Sequence, residues 1–188
     1  MNKKKYQILN SLPPYGPMYI SITENGQDFY SEGFVVRFYK DDGTDWVANF
    51  QEGWTDLKEI VNLKKTQNLL VIAKGICYLM NPNEIKPIEV FGVNYKIIFE
   101  TNNDGFVLSD DTGLTIIESD GNYWHSERIS WDGLTHFNIE NNIVTGLAFN
   151  PMPDSDEWVD FSYDIDNKNL IGGSYYSFEN KRPWWKIW

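Results

Sequence analysis

Six carboxylates fall within one short stretch of this chain, at Asp154, Asp156, Glu157, Asp160, Asp164 and Asp166. Carboxylates at alternate positions can gather around a hard cation such as Ca²⁺. Here Lys168 takes the third alternate position after Asp164 and Asp166, and the glycine and bidentate glutamate of an EF-type loop are missing. No metal is therefore assigned, and the stretch reads as an acidic patch facing solvent or a partner. A glycosidase would need two carboxyls roughly 5–10 Å apart in a cleft. The 27 acidic residues carry no motif that selects such a pair.

Other reactive groups are sparse. His125 and His136 are the only histidines and fall in neighbouring predicted strands. Zinc would want a third protein ligand, which nothing at regular spacing supplies. Cys77 lies in the apolar run Ile76-Cys77-Tyr78-Leu79 and reads as a small buried hydrophobe rather than a nucleophile. Neither a Gly-x-Ser-x-Gly elbow nor a glycine-rich phosphate loop is present. No catalytic residue and no cofactor is assigned, and the chain reads as a non-enzyme. The segment Lys181-Arg182-Pro183-Trp184-Trp185-Lys186-Ile187-Trp188 interleaves cations with indoles. It can fold back over an acidic body as a lid or insert into a partner, which makes Trp184, Trp185 and Trp188 candidate contact residues.

Charge narrows the partners. The net charge is −11, and residues 6–180 hold 10 basic against 27 acidic side chains, a net of −17. Such a body repels phosphate backbones, so nucleic acid is disfavoured. It attracts a basic protein and speeds that encounter at low salt. No apolar run approaches the ~20 residues of a membrane-spanning helix, and Tyr6-Gln7-Ile8-Leu9-Asn10 is too polar for a signal core. The expected location is the cytoplasm, and no membrane partner is expected.

The elements that must position these groups are strands. Eight Trp, eleven Tyr and eleven Phe favour pleated, half-buried surfaces. Runs of five to seven alternating residues are punctuated by Asn-Gly and Asp-Gly turns, the pattern of an all-β meander with little or no helix. Residues 1–17 form a proline-rich arm, 18–180 a single β domain, and 181–188 the Trp-rich basic tail. Within the domain the chain repeats itself. Asp42-Gly43-x-x-Trp46 and Trp54-x-x-Leu57-x-x-Ile60 return as Asp120-Gly121-x-x-Trp124 and Trp131-x-x-Leu134-x-x-Phe137, offset by 78 and 77 residues. Two tandem copies, about 18–93 and 94–176, predict a pseudo-symmetric sandwich of two antiparallel sheets or a closed barrel. The four recurring Trp read as scaffold. Leu69–Leu79 is matched with Ile143–Phe149, each ending in Asn-Pro, and Leu170–Tyr176 is left to close a sheet. A ~45-residue period, which blades of four strands would need, is not seen.

Ser126-Glu127-Arg128-Ile129-Ser130-Trp131-Asp132-Gly133, with Asp156-Glu157-Trp158-Val159, resembles β-rich bacterial proteins that accompany contact-delivered toxins as immunity partners. The resemblance covers roughly residues 120–176 and carries no site residues. It implies an immunity or antitoxin-type protein that blocks a basic toxin through an acidic surface. The alternative is a carbohydrate- or small-ligand-binding β domain, glycosidase-like if hydrolytic, which would display exposed Trp beside a cleft.

Overall fold

Apolar runs bounded by turn residues form strands here, as their composition dictates. The structure is a computed structural model that describes residues 4–15, 18–29 and 31–175. The described chain is all-β without helix, in four four-stranded sheets. The first contains β1 (Tyr6–Ile8), β2 (Ile20–Ile22), β3 (Phe34–Tyr39) and β4 (Asp45–Phe50), in the order β1-β3-β4-β2. Its β2–β4 pair is parallel and its other pairs are antiparallel. The second runs in chain order through β5 (Lys58–Asn62), β6 (Leu69–Ala73), β7 (Ile76–Met80) and β8 (Glu89–Phe91). The third holds β9 (Ile97–Glu100), β10 (Phe106–Ser109), β11 (Leu114–Ile117) and β12 (Tyr123–His125). The fourth runs through β13 (Leu134–Glu140), β14 (Ile143–Pro151), β15 (Asp156–Asp164) and β16 (Asn169–Gly172).

Two expectations are corrected. The described residues make four sheets rather than two, and none of these closes into a barrel. The second, third and fourth sheets begin at Lys58, Ile97 and Leu134, at steps of 39 and 37 residues. The run from Leu69 to Leu79 is not one strand, because Lys74 and Gly75 adopt φ of 47° and 93° and fold it into a hairpin. Two consecutive positive-φ residues are the signature of the tight hairpin turn that matches strand twist. Consequently Asn81-Pro82 follows β7, whereas Asn150-Pro151 ends β14, and the two are not equivalent.

The two Asp-Gly turns do match. In the first, Lys40 N donates to Thr44 O at 2.9 Å and Thr44 N to Asp42 Oδ1 at 2.8 Å. In the second, Glu118 N donates to Asn122 O at 2.7 Å and Asn122 N to Asp120 Oδ1 at 2.9 Å. Gly43 and Gly121 supply the positive φ, at 89° and 98°.

Chain contacts define two units, one of residues up to Leu108 with Ile117–Tyr123, the other of Ser109–Ile116 with residues from Trp124 onward. In the first unit, β6 and β7 are buried at every position. Alternation divides them between two cores: Leu69, Val71, Tyr78 and Met80 pack with Phe38, Trp46 and Phe50 on one side. Leu70, Ile72, Cys77 and Leu79 pack with Phe106, Leu108 and Ile117 on the other. A strand covered on both faces reads as a continuous apolar run, as this one does.

The four recurring Trp are not one scaffold set. Trp46 is buried at 6% exposure and satisfies its indole N–H on Pro82 O at 3.0 Å. Trp124 is half-buried, but Trp54 is 91% and Trp131 40% exposed. The chain around Trp54 is pinned on both sides, by Gly53 N to Ala73 O and Thr55 N to Lys74 O, at 2.9 and 3.1 Å. The indole between these anchors is left facing water.

Glu52 closes the same corner with ion pairs to Lys58 and to Lys74, the latter at 2.8 Å. Burial pushes its carboxyl up, but hydrogen bonds and charge from both lysines outweigh this and leave it below its ordinary value of 4.5. A depressed carboxyl contributes stability above its unfolded pKa and loses it as pH falls through the folded one. Urea unfolding from about pH 6 down to about pH 3 should therefore show a steeper acid loss for the native chain than for Glu52→Gln. Identical pH profiles would remove Glu52 from the acid response.

Candidate functional site

The fourth sheet carries the acidic stretch, and its register sorts the carboxylates. Successive strand residues face opposite sides, and on β15 Val159, Phe161 and Tyr163 alternate with Trp158, Asp160 and Ser162. Phe161 and Tyr163 are buried with Val144 and Ala148 of β14, which fixes the inner face. The outer face therefore carries Asp156, Trp158, Asp160, Ser162 and Asp164. Across β14 these stand opposite Pro151, Phe149, Leu147, Thr145 and Ile143. Across β16, Ile171 stands opposite Ser162. The result is an open face where carboxylates alternate with apolar groups: Trp158 is 47%, Ile171 66% and Ile143 38% exposed. Trp158 meets Phe149 edge-on at 5.4 Å.

Of the six acidic residues expected to act together, only some share this face. Asp156 and Asp160 lie on it beside Trp158. Glu157 has the opposite strand phase, so it points away. Asp154 sits in the β14–β15 turn, where Met152 N donates to Ser155 O at 3.1 Å. Asp164 ends β15, roughly 26 Å from Asp156 at ~3.3 Å per residue. The side-chain amide and backbone N–H of Asn167 hold its carboxyl below the ordinary range. Asp166 accepts from Asn142 Nδ2 at 3.2 and 3.3 Å. An extended strand thus spreads along its length what the sequence shows as one cluster. Trp184, Trp185 and Trp188 lie outside the described residues.

A β-bulge shapes the same face. The β13–β14 register slips between Thr135 and Asn138, so two residues oppose Gly146. Phe137 packs against Phe161, with ring centroids 6.1 Å apart. His136 takes φ of 54° and stays exposed. Bulges re-aim side chains in this way, and a non-glycine residue at positive φ is uncommon. A cleft of about 640 Å³ opens here, lined by His136, Leu147, Asp160, Ser162 and Ile171 over Gly146 and Gly172. Sequence reading missed Leu147, Ile171 and the role of His136. The period-2 pattern of β14 and β15 was the available signal.

The histidines belong to different sheets, not to neighbouring strands, so the geometry behind a zinc pair is absent. His125 Nδ1 meets Thr115 Oγ1 at 2.8 Å, while Ser126 Oγ donates to Glu127 O and accepts from Leu114 N. Among the described residues no three His, Cys, Asp or Glu gather to hold a metal. A second exposed aromatic group surrounds Arg128, whose guanidinium lies 4.6 Å from the Tyr175 ring and 5.8 Å from Trp131. Arg128 Nε donates to Ser130 O and Nη2 to Trp131 O, at 2.9 and 2.7 Å, which fixes its plane. No known protein family matches this chain, and no curated protein does.

Proposed function

We propose that the protein is an immunity or antitoxin-type binding protein that occludes a basic protein partner with the outer face of its fourth sheet. The observation that carries this reading is the alternation of Asp156, Trp158 and Asp160 on an open face next to exposed Ile171. Carboxylates steer a cationic partner, and buried aromatic anchors hold it. A net charge of −17 over residues 6–180 acts in the same direction. The site is cytoplasmic in this reading and needs neither cofactor nor catalytic group. Internal duplication accompanies it, supported by the two Asp-Gly turns whose hydrogen bonds recur at an offset of 78 residues.

The test is protection in cells. The chain is co-expressed with candidate basic toxin domains, including any that a neighbouring gene encodes, intact and as Asp156→Asn with Asp160→Asn. Protection should be lost or much reduced in the double variant, and full protection would remove this face from the function.

Exposed Trp54, Trp131 and Trp158 favour a second reading, a carbohydrate-binding domain whose indoles stack on sugar rings. Quenching of Trp fluorescence by oligosaccharides, abolished in Trp131→Ala or Trp158→Ala, would select it over the first.

A further inference from the structure

We infer that the cleft beside the His136 bulge receives an apolar side chain from an extended segment of the basic partner, in which the residues facing this sheet, every second one along the segment, alternate between cationic and apolar. This rests on the proposed reading of the fourth sheet as the contact face. Leu147 and Ile171 give the cleft its apolar walls, and Gly146 and Gly172 floor it without side chains. Ile171 is left 66% exposed, so a side chain seated there removes apolar surface from water on both partners.

Charge selects what flanks that side chain. Asp160 lines the cleft, and Asp156 follows along β15 with Trp158 between them. A purely apolar occupant would desolvate these carboxylates with nothing to pair them. An anionic one would be repelled. Asp156 and Asp160 are four strand steps apart, roughly 13 Å, and an extended segment with cations at i and i+4 has that spacing. Its residue i+2 then faces Trp158, and the next apolar residue along reaches the cleft. The bulge serves this arrangement. By sending Phe137 into the core and His136 outward, it opens the face beside Leu147 where a regular strand would keep uniform alternation.

Two fluorescein-labelled octapeptides test the inference: Lys-Thr-Leu-Thr-Lys-Thr-Leu-Thr (Lys–Leu), whose one face alternates Lys and Leu, and the same sequence with Ser at both Leu positions (Lys–Ser). Anisotropy titrations use the full chain, Ile171→Ser, and Asp156→Asn with Asp160→Asn, with circular dichroism confirming that each variant is folded. The Lys–Leu peptide should bind about 10-fold tighter than Lys–Ser, as expected for one buried aliphatic side chain. Ile171→Ser should remove most of that preference, and the double Asp variant should weaken both peptides. Equal binding of the two peptides, or a silent Ile171→Ser, overturns the cleft inference and leaves the acidic-face reading standing. If the double Asp variant weakens neither peptide, the acidic-face reading falls and the cleft inference falls with it.

Discussion

Tyr78→Ala should destabilise the first unit by about 3–5 kcal/mol, whereas Tyr78→Phe should cost only about 1 kcal/mol. Tyr78 is fully buried, and its ring lies 4.9 Å from Phe50, which in turn meets Phe38 edge-on at 6.1 Å. Truncation to alanine removes the ring, opens a cavity within this aromatic chain, and strands the carbonyl of Gln51, to which the phenol donates at 2.8 Å. Phenylalanine keeps the ring and loses only that hydrogen bond. Burial holds the phenol well above its ordinary pKa of 10, so it stays protonated and able to donate. Chemical denaturation followed by circular dichroism gives both values. Equal losses for the two variants would mean that the hydrogen bond, not the ring, holds this corner. A loss under about 1 kcal/mol for alanine would mean that the site collapses to fill the void.

Tyr78 also shows how far the fold was legible. Ile76-Cys77-Tyr78-Leu79 announces itself as a buried strand, because a continuous apolar run bounded by turns has few other homes. Its neighbour is announced equally well, yet Lys74-Gly75 between them lets the sequence run on as a single strand. Lysine carries no turn signal, and the hairpin depends on its taking φ of 47° beside a glycine. That one turn makes two strands, β6 and β7, out of the run read as one. Trp54 failed for a different reason. Motif recurrence pairs it with Trp131, but the chain on either side of it is held by hydrogen bonds of Gly53 to Ala73 at the end of β6 and of Thr55 to Lys74 in the hairpin turn, which leave the indole outside.

In the candidate site, composition made the carboxylates obvious and strand phase decided which of them act together. Period-2 alternation separates Asp156 and Asp160 from Glu157 once β15 is recognised as one nine-residue strand. The bulge at His136 was not legible. Thr135-His136-Phe137-Asn138 contains no glycine, and its positive φ comes from the register slip against β14.

Asp156→Lys with Asp160→Lys should slow association with the Lys–Leu octapeptide by roughly 100-fold at low salt, within the usual range of electrostatic steering. Both carboxylates are exposed and, among the described residues, neither stands in an ion pair, so the folded chain should tolerate the change with little loss of stability. The salt response separates steering from damage. The native rate should fall as the screening length shrinks from about 30 Å at 0.01 M salt to about 8 Å at 0.15 M, while the reversed variant should be flat or rise. Single reversals then distinguish the face from the net charge. Asp160→Lys and Glu157→Lys change the total by the same amount from neighbouring regions of one strand, but only Asp160 faces the cleft. If steering acts through the whole acidic body, the two slow association equally. If the outer face is the contact surface, Asp160→Lys has the larger effect and also raises the dissociation rate, because a lysine left against a lysine in the bound state repels it. Stopped-flow anisotropy on the two single variants decides between these outcomes, and equal effects on both rates would remove the face-specific reading.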